Sequence, residues 1–224
     1  MKNEEIYIEK LKKSAYDRIS EVINEKTIDY IVNVDLVKSH VEDKNASSFH
    51  KYYLKTLKDE KYYFKVNNFF REFKREYSLQ GIDNDFLDKL EGCKDNILND
   101  IRDDRLADLY FKNFKRAEIR HGSKTINKEL GSFFSKLVHT FRPNEYCALD
   151  NPIKKYFGLK NESFFVSFLI ISAEYKHWAN DNNSIVQEIK NRFKQADSKN
   201  IIEHERLTDL KLLDLIFWSK ANRN

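Results

Sequence analysis

The stretch Ser163-Phe164-Phe165-Val166-Ser167-Phe168-Leu169-Ile170-Ile171 decides how this chain folds. Wound as an α-helix, it is apolar on nearly every side, with Ser167 the main interruption. A helix without a polar face belongs at the buried centre of its domain, with the remaining chain packed around it. The apolar run is far too short to cross a bilayer, which takes about 20 apolar residues. We read this central helix over 163–178 and look for its neighbours on both sides.

On the N-terminal side, Ile8, Leu11, Ala15, Ile19 and Val22 step by three or four, which marks one helix face. Thr27 to Val37 is apolar and β-branched, compatible with helix or strand, and its surroundings favour helix. Residues 38–47 read as a polar loop. Phe49, Tyr53 and Leu57 mark a short helix, and Tyr63, Val66, Phe70, Phe73 and Tyr77 form the cleanest stripe. Ser78 to Asp83, with Gly81, reads as a turn. Two further stripes follow, Phe86, Leu90, Cys93 and Ile97, then Leu106, Leu109, Tyr110 and Phe114. Gly122-Ser123 interrupts the pattern, and Leu130, Phe134, Leu137 and Phe141 restart it as far as Arg142-Pro143. Asp150-Asn151-Pro152 reads as a helix start, because Asp caps free N–H groups and Pro suits the first turn. That helix ends at Gly158, and two more, near 184–194 and 208–220, close the chain.

The whole chain holds 5 Gly and 2 Pro, too few for the regular turns a sheet protein needs, so the expected class is all-α. Its 17 Phe, 12 Tyr and 2 Trp supply a sizeable core, which excludes an intrinsically disordered chain. One domain is expected over 1–224, with room for two lobes around a cleft near 130–155. Cys93 and Cys147 form no metal-binding or redox pair and read as reduced, buried thiols. Nothing at the start of the sequence resembles a leader peptide and the most apolar stretch is too short for a bilayer, so a cytoplasmic location without a membrane partner is expected; the oligomeric state stays open, with a monomer favoured. Charge is uneven. Residues 110–160 carry eleven Lys/Arg against four Asp/Glu, a surplus of seven that leaves the rest of the chain at −3 within a net +4. A basic middle suggests a polyanionic partner; a lysine-rich solvated face is the plainer reading.

The segment Leu130-Gly131-Ser132-Phe133-Phe134-Ser135-Lys136-Leu137-Val138, followed by Tyr146-Cys147-Ala148-Leu149-Asp150-Asn151-Pro152, resembles the active-site region of helix-hairpin-helix DNA glycosylases. In that family a hairpin glycine opens a helix, and an apolar residue and an aspartate open the next. Here Gly131 and the pair Leu149-Asp150 take those places, 19 residues apart. The resemblance implies a two-lobed, helical glycosylase-like fold, DNA as partner, and hydrolysis of the bond between a base and its deoxyribose, with Asp150 as the catalytic carboxylate. Such a carboxylate stabilises positive charge developing on the sugar and can activate water. The target base must leave the stack, so an aromatic-lined cleft is expected. His139, Tyr146 and Asn151 are candidates for base or sugar contacts. Lys124, Gly131, Ser132, Lys136, Arg142, Lys154 and Lys155 are candidates for holding DNA. Where lyase members of the family carry a lysine just after the glycine, this sequence has Ser132-Phe133, with Lys136 a turn later. The expected enzyme is therefore monofunctional. Damaged host bases and modified bases of invading phage DNA are both open as substrates. No metal or organic cofactor is implied.

Three other readings stand beside this one. Asp150 also suits plain N-cap chemistry, worth about 1 kcal/mol. Arg116-Ala117-Glu118-Ile119-Arg120-His121 resembles the Arg–four residues–His signature of HEPN-domain ribonucleases, in which His121 would move a proton and Arg116 steady phosphate charge. That reading places the segment on a helix. A third reading is a helical nucleic-acid-binding module without catalysis. His177 and His204 show no consistent metal-ligand spacing.

Overall fold

The computed structural model describes residues 2–58, 60–122 and 124–223, with side chains throughout these except at 2, 3, 47, 54–58, 60 and 121. Helix makes up 71% of it and strand 4%, so the all-α expectation holds at the level of class. The chain opens with α1 (Lys2–Val22), a 3₁₀ turn (Glu25–Thr27), α2 (Ile28–Tyr30) and a π-helix (Ile31–Val41). Next come α3 (Lys44–Lys58), α4 (Glu60–Lys65), α5 (Phe69–Glu76), α6 (Asn84–Glu91), α7 (Lys94–Arg102) and α8 (Leu106–Asn113). Strands β1 (Ala117–His121) and β2 (Lys124–Lys128) interrupt the helices. The chain then continues as α9 (Gly131–Phe141), α10 (Asn151–Tyr156), α11 (Phe164–Asp181), α12 (Asn183–Ala196) and α13 (Asp209–Arg223).

The central helix is where its composition puts it. Ser163 caps α11 by accepting from the Val166 N–H, and Phe168, Ile171, Tyr175 and Trp178 along it are buried. Around it the elements pack in two sets. α1, the π-helix, α10, α12 and α13 gather with α11, while α3 to α9 and β1 pack mainly among themselves. One continuous apolar core runs through both, and α9 touches α11, α3 and α7.

Several sequence expectations need correction. Residues 38–47 are not a loop: the π-helix runs to Val41 and α3 begins at Lys44. The buried pairs 31/32, 35/36 and 40/41 recur at four or five residues, wider than the 3.6 of an α-helix, which suits i→i+5 bonding. The stripe from Tyr63 to Tyr77 spans two helices, broken where Asn68 takes a left-handed φ of 65°. That from Phe86 to Ile97 breaks at Gly92-Cys93. Cys93 is only half-buried, while Cys147 is buried; both are free thiols.

The largest departure is the β-hairpin. Ala117↔Lys128, Ile119↔Ile126 and His121↔Lys124 pair antiparallel, and Gly122 makes the turn at φ +63°. Ala117 and Ile119 are buried, and β1 packs on α6. Residues 117–121 of the Arg116–His121 segment are therefore extended, with Arg116 in the turn before them, and not helical as expected for the ribonuclease reading. The same hairpin, rather than a second long helix, stands directly before Gly131. Gly131 opens α9 for another reason: a Cβ at this position would lie 2.2 Å from Cγ of Phe164, so only glycine lets α9 approach α11 this closely.

Candidate functional site

A cavity of about 700 Å³ opens between the two sets of helices. The π-helix and the start of α3 contribute His40, Phe49 and His50, and the end of α5 contributes Glu76, Tyr77 and Ser78. α9 supplies Lys136, the loop before α10 supplies Asp150, and α13 lays Lys211, Asp214, Leu215 and Trp218 along one side. Those four α13 positions are spaced three and four apart and share a helix face. Phe49 and Tyr77 meet edge to face at 4.7 Å, and half-exposed Trp218 stands 5.5 Å from His40.

Asp150 is held from behind. It caps α10, with Oδ1 accepting from the Ile153 N–H at 3.0 Å. The loop leading to it is pinned at three backbone groups. Ser135 Oγ donates to the Leu149 carbonyl at 2.6 Å, the Cys147 N–H donates to Ser172 Oγ at 3.0 Å, and His139 Nδ1 donates to the Tyr146 carbonyl at 2.6 Å. Asp150 Oδ2 has no hydrogen-bond partner among the described residues. Burial raises the Asp150 pKa, and the charge of Asp214 adds to this. Lys136, the Ile153 N–H and Lys211 oppose the shift without reversing it.

Lys136 shows the complementary behaviour. Burial lowers its pKa, helped by Lys211, while Asp150 and Asp214 pull it back. Its ammonium lies 5.5 Å from the Tyr77 ring centroid, with no carboxylate within ion-pair distance among the described residues. Across the cavity, buried Lys211 and Asp214 pair at 2.6 Å, and Lys211 Nζ also sits 4.9 Å from the Tyr53 ring. Asp150 and Asp214 thus share an aromatic-walled space with Lys136 and Lys211, and Asp43, Glu76, Lys38 and Arg223 also line the cavity. His40 Nε2 donates to the Leu215 carbonyl at 3.0 Å, and burial lowers the His40 pKa to about 4, so this imidazole is neutral at physiological pH.

Of the residues expected from sequence, the cavity brings together Asp150 and Lys136 only. His139 is not a ligand-facing group. A carbonyl can only accept, so Nδ1 carries the proton, and Nε2 then accepts from Tyr53 Oη at 2.9 Å. Buried and satisfied at both nitrogens, its pKa is lowered to about 4 by desolvation. Tyr146 donates to Asp104 at 2.7 Å and stacks on Phe168 at 5.3 Å, so it is a packing residue. Asn151 is exposed at the first position of α10, outside the cavity lining.

Of the remaining cations, Lys154 is buried and donates to the carbonyls of Lys160 and Glu162, which removes it from phosphate binding. Arg142 pairs with Asp104 at 2.6 Å. Lys124 and Lys155 are exposed; Gly131 is buried and Ser132 half-buried at the start of α9.

The sequence reading missed Phe49, Tyr77, Lys211, Asp214 and Trp218. The one available signal was that Lys211 and Asp214, charged residues three apart, fall within the otherwise apolar run Leu210 to Trp218. Among the described residues, no group of three or more His, Cys, Asp or Glu is placed to hold a metal ion. No helix among them is long and apolar enough to cross a membrane. No family model, curated protein or solved structure matches the chain.

Proposed function

We propose that this protein is a monofunctional DNA glycosylase that hydrolyses the N-glycosidic bond of a damaged or modified base. The observation that supports the reading best is Asp150 itself. It is a carboxylate with one oxygen anchored and the other unengaged, at the wall of a cavity lined by Phe49, Tyr77 and Trp218. A base turned out of a duplex needs aromatic surfaces to replace its lost stacking. As the glycosidic bond breaks, positive charge grows on the sugar, and a fixed anion in a partly desolvated site stabilises it with little reorganisation. In this reading Asp150 works ionised, and its raised proton affinity lets it take the proton of the attacking water. Lys136 and Lys211 balance the anionic charge around it.

The chain would then be a divergent, two-lobed relative of the helix-hairpin-helix glycosylases. A β-hairpin stands where their hairpin-forming helix would be, and Gly131 is kept for packing. The test is base release. Wild type and Asp150→Asn are incubated with unmodified, damaged and phage-modified DNA, and the products are analysed by mass spectrometry and by cleavage of abasic sites with mild alkali. Release by the wild type and not by the variant supports the reading. Equal release by both removes Asp150 from the chemistry.

A further inference from the structure

β1 packs on α6, and the hairpin is tied through Lys128 to the segment that leads to the cavity rim. Lys128 Nζ donates to the carbonyls of Gln80 and Gly81, at 3.1 and 3.2 Å. Two residues before Gln80, exposed Ser78 lines the cavity. At no more than about 3.6 Å per residue, the Gln80 carbonyl that the Lys128 side chain grips lies within roughly 7 Å of backbone from the rim. The hairpin and its lead-in, residues 115–128, carry five Lys/Arg and one Glu.

Those charges divide by whether they have a partner. Near the base, Lys115 pairs with Glu129 at 2.6 Å, Glu118 lies 3.8 Å from Lys89, and Lys128 is committed to carbonyls. Arg116 and Lys124 are exposed and have no ion pair among the described residues. The Arg120 guanidinium has one ion-pair partner among the described residues, Asp85 at 3.2 Å, with both side chains about two-thirds exposed, and a pair of that kind contributes little. From residue 116 to the turn at 121 the ribbon extends about 17 Å at ~3.4 Å per residue. One DNA strand advances about 3.4 Å per nucleotide, so this length runs past about five phosphates.

We infer that the hairpin 117–128 is a DNA-backbone arm, with Arg116 and Lys124 contacting phosphates of the strand next to the nucleotide held in the cavity. The identity of the polyanion as DNA rests on the base-excision reading above; the position and charge of the arm do not.

The experiment uses a short fluorescent duplex carrying an abasic-site analogue, which needs no knowledge of the base. Affinity is measured by anisotropy from about 50 to 200 mM salt for the wild type, Arg116→Ala/Lys124→Ala, and Lys10→Ala/Lys13→Ala as a control on α1. Each phosphate contact adds about 0.9 to the salt slope, so the hairpin variant should lose about 1.8. Its affinity loss across that salt range should then be about ten-fold smaller than that of the wild type. The control should match the wild type. All four substitutions are at exposed side chains, and circular dichroism checks that the fold is kept. An unchanged slope in the hairpin variant overturns the arm, and if base release persists in that variant the glycosylase reading stands without it. A reduced slope from a protein that releases no base supports the arm and counts against the glycosylase reading. A wild type that does not bind the duplex overturns both.

Discussion

Asp83 and Asp150 hold the same local position and treat their charge in opposite ways. Each caps a short helix by accepting from the N–H three residues on. At Asp83, on the hairpin side of the molecule, burial pushes the pKa up, but the N–H groups of Phe86, Arg120 and Asp85 together bring it below the ordinary carboxylate value. At Asp150, on the cavity side, burial is stronger than the single N–H and the nearby lysines, and the pKa is raised. One aspartate is satisfied and structural. The other is left with raised proton affinity and with one oxygen that has no hydrogen-bond partner among the described residues, in a side chain that lines the cavity. Capping geometry alone does not set a carboxylate's proton affinity; burial and the number of donors around it do.

The largest effect expected from this contrast is on base release. Asp150→Asn keeps a capping side chain and removes the charge, so turnover should fall about 10²–10³-fold while affinity for the abasic duplex stays within a few-fold. Asp83→Asn should leave turnover within about two-fold. Equal losses in both variants, measured as single-turnover base release, would erase the distinction.

Stability tests sharpen it. Gly131→Ala should cost about 1–3 kcal/mol in urea unfolding, because the added methyl collides with Phe164 and α9 must move away from α11. That shift also displaces Ser135, which holds the Leu149 carbonyl, so turnover should fall in the same variant.

Acid should destabilise the fold through its buried neutral histidines. His40 and His139 have folded pKa values of about 4 against an ordinary 6.5. The unfolded chain protonates them first, so stability drops as pH falls from about 6.5 toward 4, by up to about 1.4 kcal/mol per pH unit for each histidine. Chemical denaturation at several pH values measures this, and His139→Gln should flatten the slope. Asp150 acts with the opposite sign. Its raised folded pKa costs stability above that pKa, and the cost disappears as pH falls below the unfolded value. Asp150→Asn should therefore melt slightly higher than the wild type at neutral pH, with the gap closing in acid; Asp83→Asn should melt lower by the equivalent of about 1 kcal/mol.

The helical class, the central position of 163–178 and the cap at Asp150 were all legible in the sequence, because each rests on local periodicity or on contacts within four residues. The hairpin was not, since Ala117 to Lys128 alternates only weakly and its inward face is completed by α6. His139 looked like a site residue because it is a histidine near Asp150. It is consumed by Tyr53, 86 residues away in sequence, and by the Tyr146 carbonyl.

By itself, then, the sequence determined the helices, the buried centre and the aspartate that opens α10, through apolar spacing and hydrogen bonds to neighbouring backbone. Only the tertiary structure decided which polar groups remain unsatisfied. It brought Lys211, Asp214 and Trp218 of α13 across from Asp150, left Lys136 without a carboxylate at ion-pair distance among the described residues, and committed His139, Arg142 and Lys154 to partners elsewhere. The physical reason is that burial and the partners of a charge are set by distant segments. Two aspartates with the same local sequence role can therefore end with opposite proton affinities.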